Sequence, residues 1–163
     1  MAMSKILSVD EIEDYIGYEP PPTEWFEVTQ EKIDTFADVT LDHQFIHVDP
    51  EKAAETPLGT TIAHGFLVLS MLAHFAEQYS IRIENMVMGL NYGFDKVRFL
   101  APVKVGARIR ARARLEDITK KPGGRFLIRH LVTIEIKGEE KPALIADSLG
   151  MHTIREERGY PEQ

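Results

Sequence analysis

Asp42 and His47 stand five positions apart in a polar stretch, Asp42-His43-Gln44-Phe45-Ile46-His47, and His64-Gly65 follows at the head of an apolar run. A carboxylate beside an imidazole can handle a proton between them, because imidazole titrates near pH ~6.5 and is part neutral at cellular pH. A glycine opening a helix offers an N–H with no intrahelical partner, at the positive end of the helix dipole. It also lets a ligand approach the backbone closely. Proton transfer at one point and stabilisation of negative charge at another is the chemistry these types and spacings suit. Each residue also has a plainer reading. Asp42 could cap a turn, His47 and His64 could be structural histidines bonded to loop backbone, and His43 reads as a rim residue. His43, His47 and His64 match no familiar ligand spacing, so no metal is expected. Ser70 lacks a nucleophile-elbow setting, which argues against a serine hydrolase.

The flanking elements must hold these groups. Phe66, Leu67, Val68, Leu69, Met71, Leu72, Phe75 and Ala76 leave no broad polar face, so Leu67 to Gln78 predicts a buried helix wrapped by strands. Upstream, Ser8 and Glu11 form a capping-box pattern for a helix from about Val9 to Ile16. Pro20-Pro21-Pro22 reads as an extended connector, Trp25 to Val28 as a short strand, and Thr29 as the N-cap of a helix through Ile33, Phe36 and Ala37. Asp49 and Pro50 supply an N-cap and first position for another short helix. Downstream, Ile81 to Met88 has no clear class, and Asn91 to Phe99 reads as a strand. Ala107, Ile109, Ala111, Ala113 and Leu115 alternate with Arg108, Arg110, Arg112 and Arg114, a period of two that puts small residues on one face and guanidiniums on the other. Two more strands, Phe126 to Lys137 and Ala143 to Ile154, follow glycine-rich turns. Short helices, one buried helix and then long antiparallel strands predict an α+β hot-dog fold, a curled sheet around a central helix. Residues 1–163 read as one such domain, with an extension over about 1–24 and a tail from about 156. The sheet edges and the arginine-lined face favour a homodimer.

At 163 residues, with 44% hydrophobic and 28% charged positions and no cysteine, the chain is an ordinary globular protein without disulfides or thiolate chemistry. No signal peptide or membrane-spanning run is read, which points to the cytoplasm. A net charge of −7 argues against nucleic acid. Eleven of the nineteen basic residues nevertheless lie between Lys96 and Arg129, against only Glu116 and Asp117. Such a segment either steers a polyanionic small molecule or forms a solvated strand face.

The run from Asp42 to His47 with Asp49-Pro50, and later Ile62-Ala63-His64-Gly65-Phe66-Leu67, resembles the MaoC-like dehydratase family, which includes the (R)-specific enoyl-CoA hydratases. It is most similar to the nodulation-protein-N-like branch, as are Asn91 to Phe99 and Pro102-Val103, and the resemblance covers about residues 27 to 154. It implies reversible hydration of trans-2-enoyl-CoA to the (3R)-hydroxyacyl thioester without a cofactor. In that scheme His47 is the base toward a water shared with Asp42, Asp42 assists protonation, and the Gly65 N–H binds the thioester carbonyl. Gln44, His64, Phe66, Asn91 and Phe94 would contact substrate. The implied partners are an acyl-CoA or acyl-carrier-protein thioester and a second copy of the chain, with no nucleic acid and no membrane. Two positions depart from the family pattern: Gln44-Phe45 stands where hydratases often carry Asn-Pro, and Ala73 where a serine is common. An acyl-carrier-protein-linked dehydratase, a hot-dog thioesterase and a non-catalytic acyl-binding subunit remain alternatives.

Overall fold

The computed structural model describes residues 5–155. Two short parallel strands, β1 (Ile6–Leu7) and β3 (Arg82–Ile83), pair apart from the main sheet. That sheet is antiparallel, with β2 (Phe26–Glu27), β5 (Arg108–Lys121), β6 (Arg125–Ile136), β7 (Leu144–Ile154) and β4 (Met86–Phe99) side by side in that order. Five helices lie between β2 and β3: α1 (Gln30–Thr40), α2 (Phe45–Val48), α3 (Pro50–Ala54), α4 (Gly65–Ser70) and α5 (Leu72–Tyr79). The layout is the expected hot-dog fold.

The alternation on β5 explains how a helix can sit so close to a sheet. Ile109, Ala111 and Ala113 face inward with Val132, Ile134, Leu144 and Ala146 of the neighbouring strands, and all are buried. Val68, Leu72 and Phe75 of the central helices pack against them. Alanine at three of these positions keeps the contact surface shallow, so the helix backbone can approach without leaving voids.

Several expectations are corrected. The N-terminal helix from Val9 to Ile16 is only a single 3-10 turn, Ile12–Tyr15, although the Ser8 N–H and hydroxyl do bond the Glu11 carboxylate at 3.1 and 2.8 Å. Gly17, at a φ of 91°, turns the chain away before a second turn can form. Near the end of the extension, Thr23 and Ala111 exchange hydrogen bonds of 3.0 and 2.8 Å along the β5 edge. Ile81 to Met88 resolves into β3, a turn with Asn85 at a φ of 58°, and the start of β4. The central helix is two pieces meeting at Met71, and it is not enclosed. Phe66 is 70% exposed, and Ala73 also faces outward. A sheet covers only the side of a helix that lies on it, and the apolar far side of this one is left open by its own chain. The tail expected from about residue 156 lies outside the described residues.

Part of the basic segment is paired with acids that the fold, not the local sequence, brings near. Glu135 on β6 bonds both Arg110 (2.6 Å) and Arg112 (2.5 Å), and Arg110 also lies over the Trp25 ring. Asp95 pairs with Arg129, and Glu13 lies 3.3 Å from Lys120. Burial pushes the Glu135 carboxyl up, but the hydrogen bonds from both arginines outweigh it and hold it below its ordinary value. These pairs favour a solvated strand face over a steering patch.

His130 occupies an inward position of β6 within this core, its ring edge-on to Tyr79. Burial, aided by the nearby His152, lowers its pKa to about 4. A depressed histidine is neutral in the fold but protonates earlier in the unfolded chain. Its contribution is therefore present above pH ~6.5 and is lost as pH falls toward 4. The loss should approach ~3 kcal/mol at the acid end. Denaturation midpoints from pH 7 to 4 should fall less steeply for His130→Leu than for the wild type; an unchanged slope would place the titration elsewhere.

Candidate active site

The site is assembled where α1 ends. Thr29 caps that helix through the Lys32 N–H, and Ile33 and Ala37 anchor it in the core. Leu41 closes it in the left-handed region at a φ of 62°, where non-glycine residues are strained by roughly 1 kcal/mol. The reversal at Leu41 turns the chain into Asp42, whose carboxylate is half exposed and accepts the Gln44 N–H at 3.4 Å. One helical turn, α2, then carries His47 inward until it is 6% exposed.

Two backbone carbonyls settle how the histidines hold their protons. His47 Nδ1 lies 2.7 Å from the Ile62 carbonyl, and His64 Nε2 lies 2.9 Å from the Asp42 carbonyl. A carbonyl oxygen only accepts, so each of those nitrogens carries the hydrogen. In the neutral ring, His47 Nε2 is then left with a lone pair, as a general base requires. The rings of His47 and His64 stack at 3.8 Å, and Phe36 packs on the other side at 5.0 Å from His64. His64 is buried, with its Nδ1 unpaired among the described residues.

Donor atoms of Asp42, His47 and His64 all lie within 4.8 Å of one another, a grouping that the sequence spacing did not announce. His64 Nε2 is already committed as a donor to Asp42, so the Asp42 carboxylate and His47 Nε2 are the groups best placed to act. Two such acceptors across a short gap suit a water molecule held between them. Gly65 follows directly as the first residue of α4, its N–H beyond the reach of intrahelical bonding. The segment before it is pinned by Ala63 N–H to the Val103 carbonyl at 2.8 Å and by pairing of Ile62 with Lys104.

The structure thus brings together Asp42, His47, His64 and Gly65. Gln44 sits beside them as the N-cap of α2, contributing its backbone to the turn. Phe66, Asn91 and Phe94 do not join this group; they line an adjoining groove between the central helix and β4. His43 pairs at the rim with Asp38 at 2.8 Å. The residue that sequence reading missed is Gln30. Its amide donates to the His47 carbonyl at 2.7 Å and to Asp34 at 2.8 Å, and accepts from the buried Thr61 hydroxyl at 2.5 Å. One side chain ties α1, the His47 turn and the loop before Gly65 together, so it is a positioning residue. The only sequence signal was its place just after the Thr29 cap.

The model of the MaoC like domain matches residues 11–133, most of the chain. The chain belongs to the MaoC-like domain family. As a MaoC-like dehydratase it is a hydro-lyase. It is 47% identical over 142 residues to nodulation protein N of Rhizobium leguminosarum bv. viciae, covering 86% of this chain and 88% of that one. It is 42% identical over 142 residues to 3-hydroxyacyl-thioester dehydratase Z of Mycobacterium tuberculosis, covering 87% and 93%. The unliganded R-hydratase PhaJ1 of Pseudomonas aeruginosa shares its fold, with a TM-score of 0.68 at 19% identity over 91% of this chain and 90% of that one. Within this MaoC-like chain, no helix among the described residues is long and apolar enough to cross a membrane.

Proposed function

We propose that the protein is an (R)-specific enoyl-CoA hydratase, adding water reversibly to trans-2-enoyl-CoA through Asp42 and His47. One observation carries the reading: the Ile62 carbonyl holds His47 with its Nε2 lone pair free, beside the Asp42 carboxylate and next to the exposed N–H of Gly65. In this scheme His47 Nε2 takes a proton from the bound water as its oxygen bonds to the β-carbon. The carbon–carbon π electrons shift to the thioester oxygen, where the Gly65 N–H and the helix terminus stabilise the enolate. The proton then passes to the α-carbon with Asp42 assisting, and the dyad is restored. Dehydration of the 3-hydroxyacyl thioester runs the same path backward. A relative named as a 3-hydroxyacyl-thioester dehydratase supports the thioester class.

The reading takes residues 1–163 as one domain, cytoplasmic and homodimeric. β4 is an outer strand of the sheet, and Val87, Leu90, Tyr92, Phe94 and Phe99 on it are exposed. An unpaired apolar edge of this length is a liability in a lone chain, and pairing with a second copy would cover it.

The test is loss of the enoyl chromophore of crotonyl-CoA and of a longer enoyl-CoA, with the chirality of the product determined. The expected product is the (3R)-hydroxyacyl-CoA from at least one of them. Formation of the (3S) isomer, or no consumption of any enoyl-CoA, would overturn the assignment.

A further inference from the structure

The groove beyond Phe66 does not end as a plain acyl channel should. Its first part, about 290 Å³, runs between the central helix and β4 and is lined by Phe66, Leu69, Ala73 and Phe94. A second space of about 500 Å³ adjoins it, sharing Ala73, Ala76, Tyr79, Asn91 and Ser148 with the first. There the lining changes character. Tyr79, His130, Ser148 and His152 line the space from α5, β6 and β7.

These polar groups are costly where they stand. His130 is 7% exposed and Tyr79 5%, and His152 Nδ1 is enclosed with no hydrogen-bond partner among the described residues. Buried polar groups are ordinarily paired, and an unpaired one disfavours the fold by about 1–3 kcal/mol. The backbone makes room for them. A Cβ at Gly89 would lie 3.5 Å from the His152 ring and one at Gly150 3.6 Å, ordinary contact distances, so side chains at these two positions would take up space beside the ring. Both imidazoles are held toward the neutral form by burial. A neutral imidazole can donate at one nitrogen and accept at the other, and tyrosine and serine hydroxyls do both. Glu77 and Arg82, which also border the space, carry opposite charges. The chemistry this lining matches is a neutral oxygen, a hydroxyl or a carbonyl.

We propose that this space takes the distal part of the substrate's acyl chain and selects chains bearing a hydroxyl or carbonyl there over plain alkyl chains. The inference rests on the hydratase reading of the Asp42 and His47 site, since it places the thioester at Gly65. From Gly65 to Ala76 the helix advances ~16 Å. The polar group therefore lies well away from the reacting double bond, on a medium-length or longer chain.

The experiment compares trans-2-dodecenoyl-CoA with its ω-hydroxy analogue and analogues carrying the hydroxyl one and two carbons nearer the thioester. For the wild type, kcat/KM for the best hydroxylated chain should exceed that for the alkyl chain roughly tenfold, about the effect of one buried hydrogen bond. His130→Leu and His152→Leu should each bring this ratio toward one, while His130→Asn, which keeps donor and acceptor, should retain part of it. The ratio is read within each variant, so a general loss of activity does not disturb it. A wild-type ratio of one or less for every analogue, or a ratio untouched by both leucine variants, overturns the proposal. If no thioester is hydrated, including crotonyl-CoA, which is too short to reach this space, the hydratase reading fails instead. Calorimetric binding of the corresponding saturated acyl-CoA pair then decides the selectivity by the same ratio.

Discussion

Asp42→Asn and His47→Ala are each expected to lower kcat/KM for enoyl-CoA by about 10²–10⁴, the usual cost of losing a positioned acid or base. Asp42→Asn should leave the fold intact, because the Asp42 carboxylate is half exposed and its backbone carbonyl, which holds His64, is unchanged. His47→Ala removes a buried, stacked ring and should also lower the denaturation midpoint. In the proposed scheme the two groups handle one water, so the double variant should be little worse than the worse single one. A structural role predicts a different pattern. If Asp42 merely caps its turn, Asp42→Asn would leave turnover almost intact, and even complete loss of the cap would cost only about 0.5–2 kcal/mol of stability. Measuring kcat/KM together with a denaturation midpoint for the three variants separates the cases, and near-wild-type turnover in both single variants would remove the dyad from the mechanism.

The second large effect is expected at Gly65. Removing one hydrogen-bond donor to a developing oxyanion typically costs about 10²–10³ in kcat. Gly65→Pro does this with little disturbance of the helix, because proline is well tolerated at the first helical position. His64, at φ −57° and ψ 137°, already has the extended conformation that a following proline demands. The new side chain introduces its own problem, since a Cβ at this position would lie 3.1 Å from the Phe99 ring and push it. Gly65→Ala carries that same Cβ while keeping the N–H. The loss attributable to the N–H is therefore the difference between Gly65→Pro and Gly65→Ala in kcat. Equal losses in the two would assign the effect to Phe99 and leave the N–H without a role.

What could be read without a structure was whatever periodicity and local chemistry determine. The alternation of alanine and arginine on β5 announced both a sheet and its shallow inner face, and Thr29, Asp49 and Pro50 act as the helix signals they resemble. The spacing of Asp42, His47 and Gly65 pointed to the candidate site, and the fold brings these residues together. Features that depend on register or on long-range partners were not legible. Glu135 neutralises Arg110 and Arg112 only because β5 and β6 pair in one particular register. Gln30 reaches His47 and Thr61, which are 17 and 31 positions away, so no local pattern could single it out. His130 stood at an inward position between Ile128 and Val132, but alternation says only that a side chain points in, not what it meets there. The apolar far side of the central helix shows the same limit: hydrophobic on every face implied a cover, and the chain supplies it on one side alone.

The water that the proposed scheme places between Asp42 and His47 has one place to go in a hydratase and another in a thioesterase. Incubating the enzyme with an enoyl-CoA in heavy-oxygen water and weighing the products by mass spectrometry follows that oxygen directly. The label should appear in the 3-hydroxyl group of an intact hydroxyacyl-CoA, and the Asp42→Asn variant should slow its appearance. Label recovered in the carboxylate of a free acid, with CoA released and no hydroxyacyl-CoA formed, would contradict the hydratase mechanism.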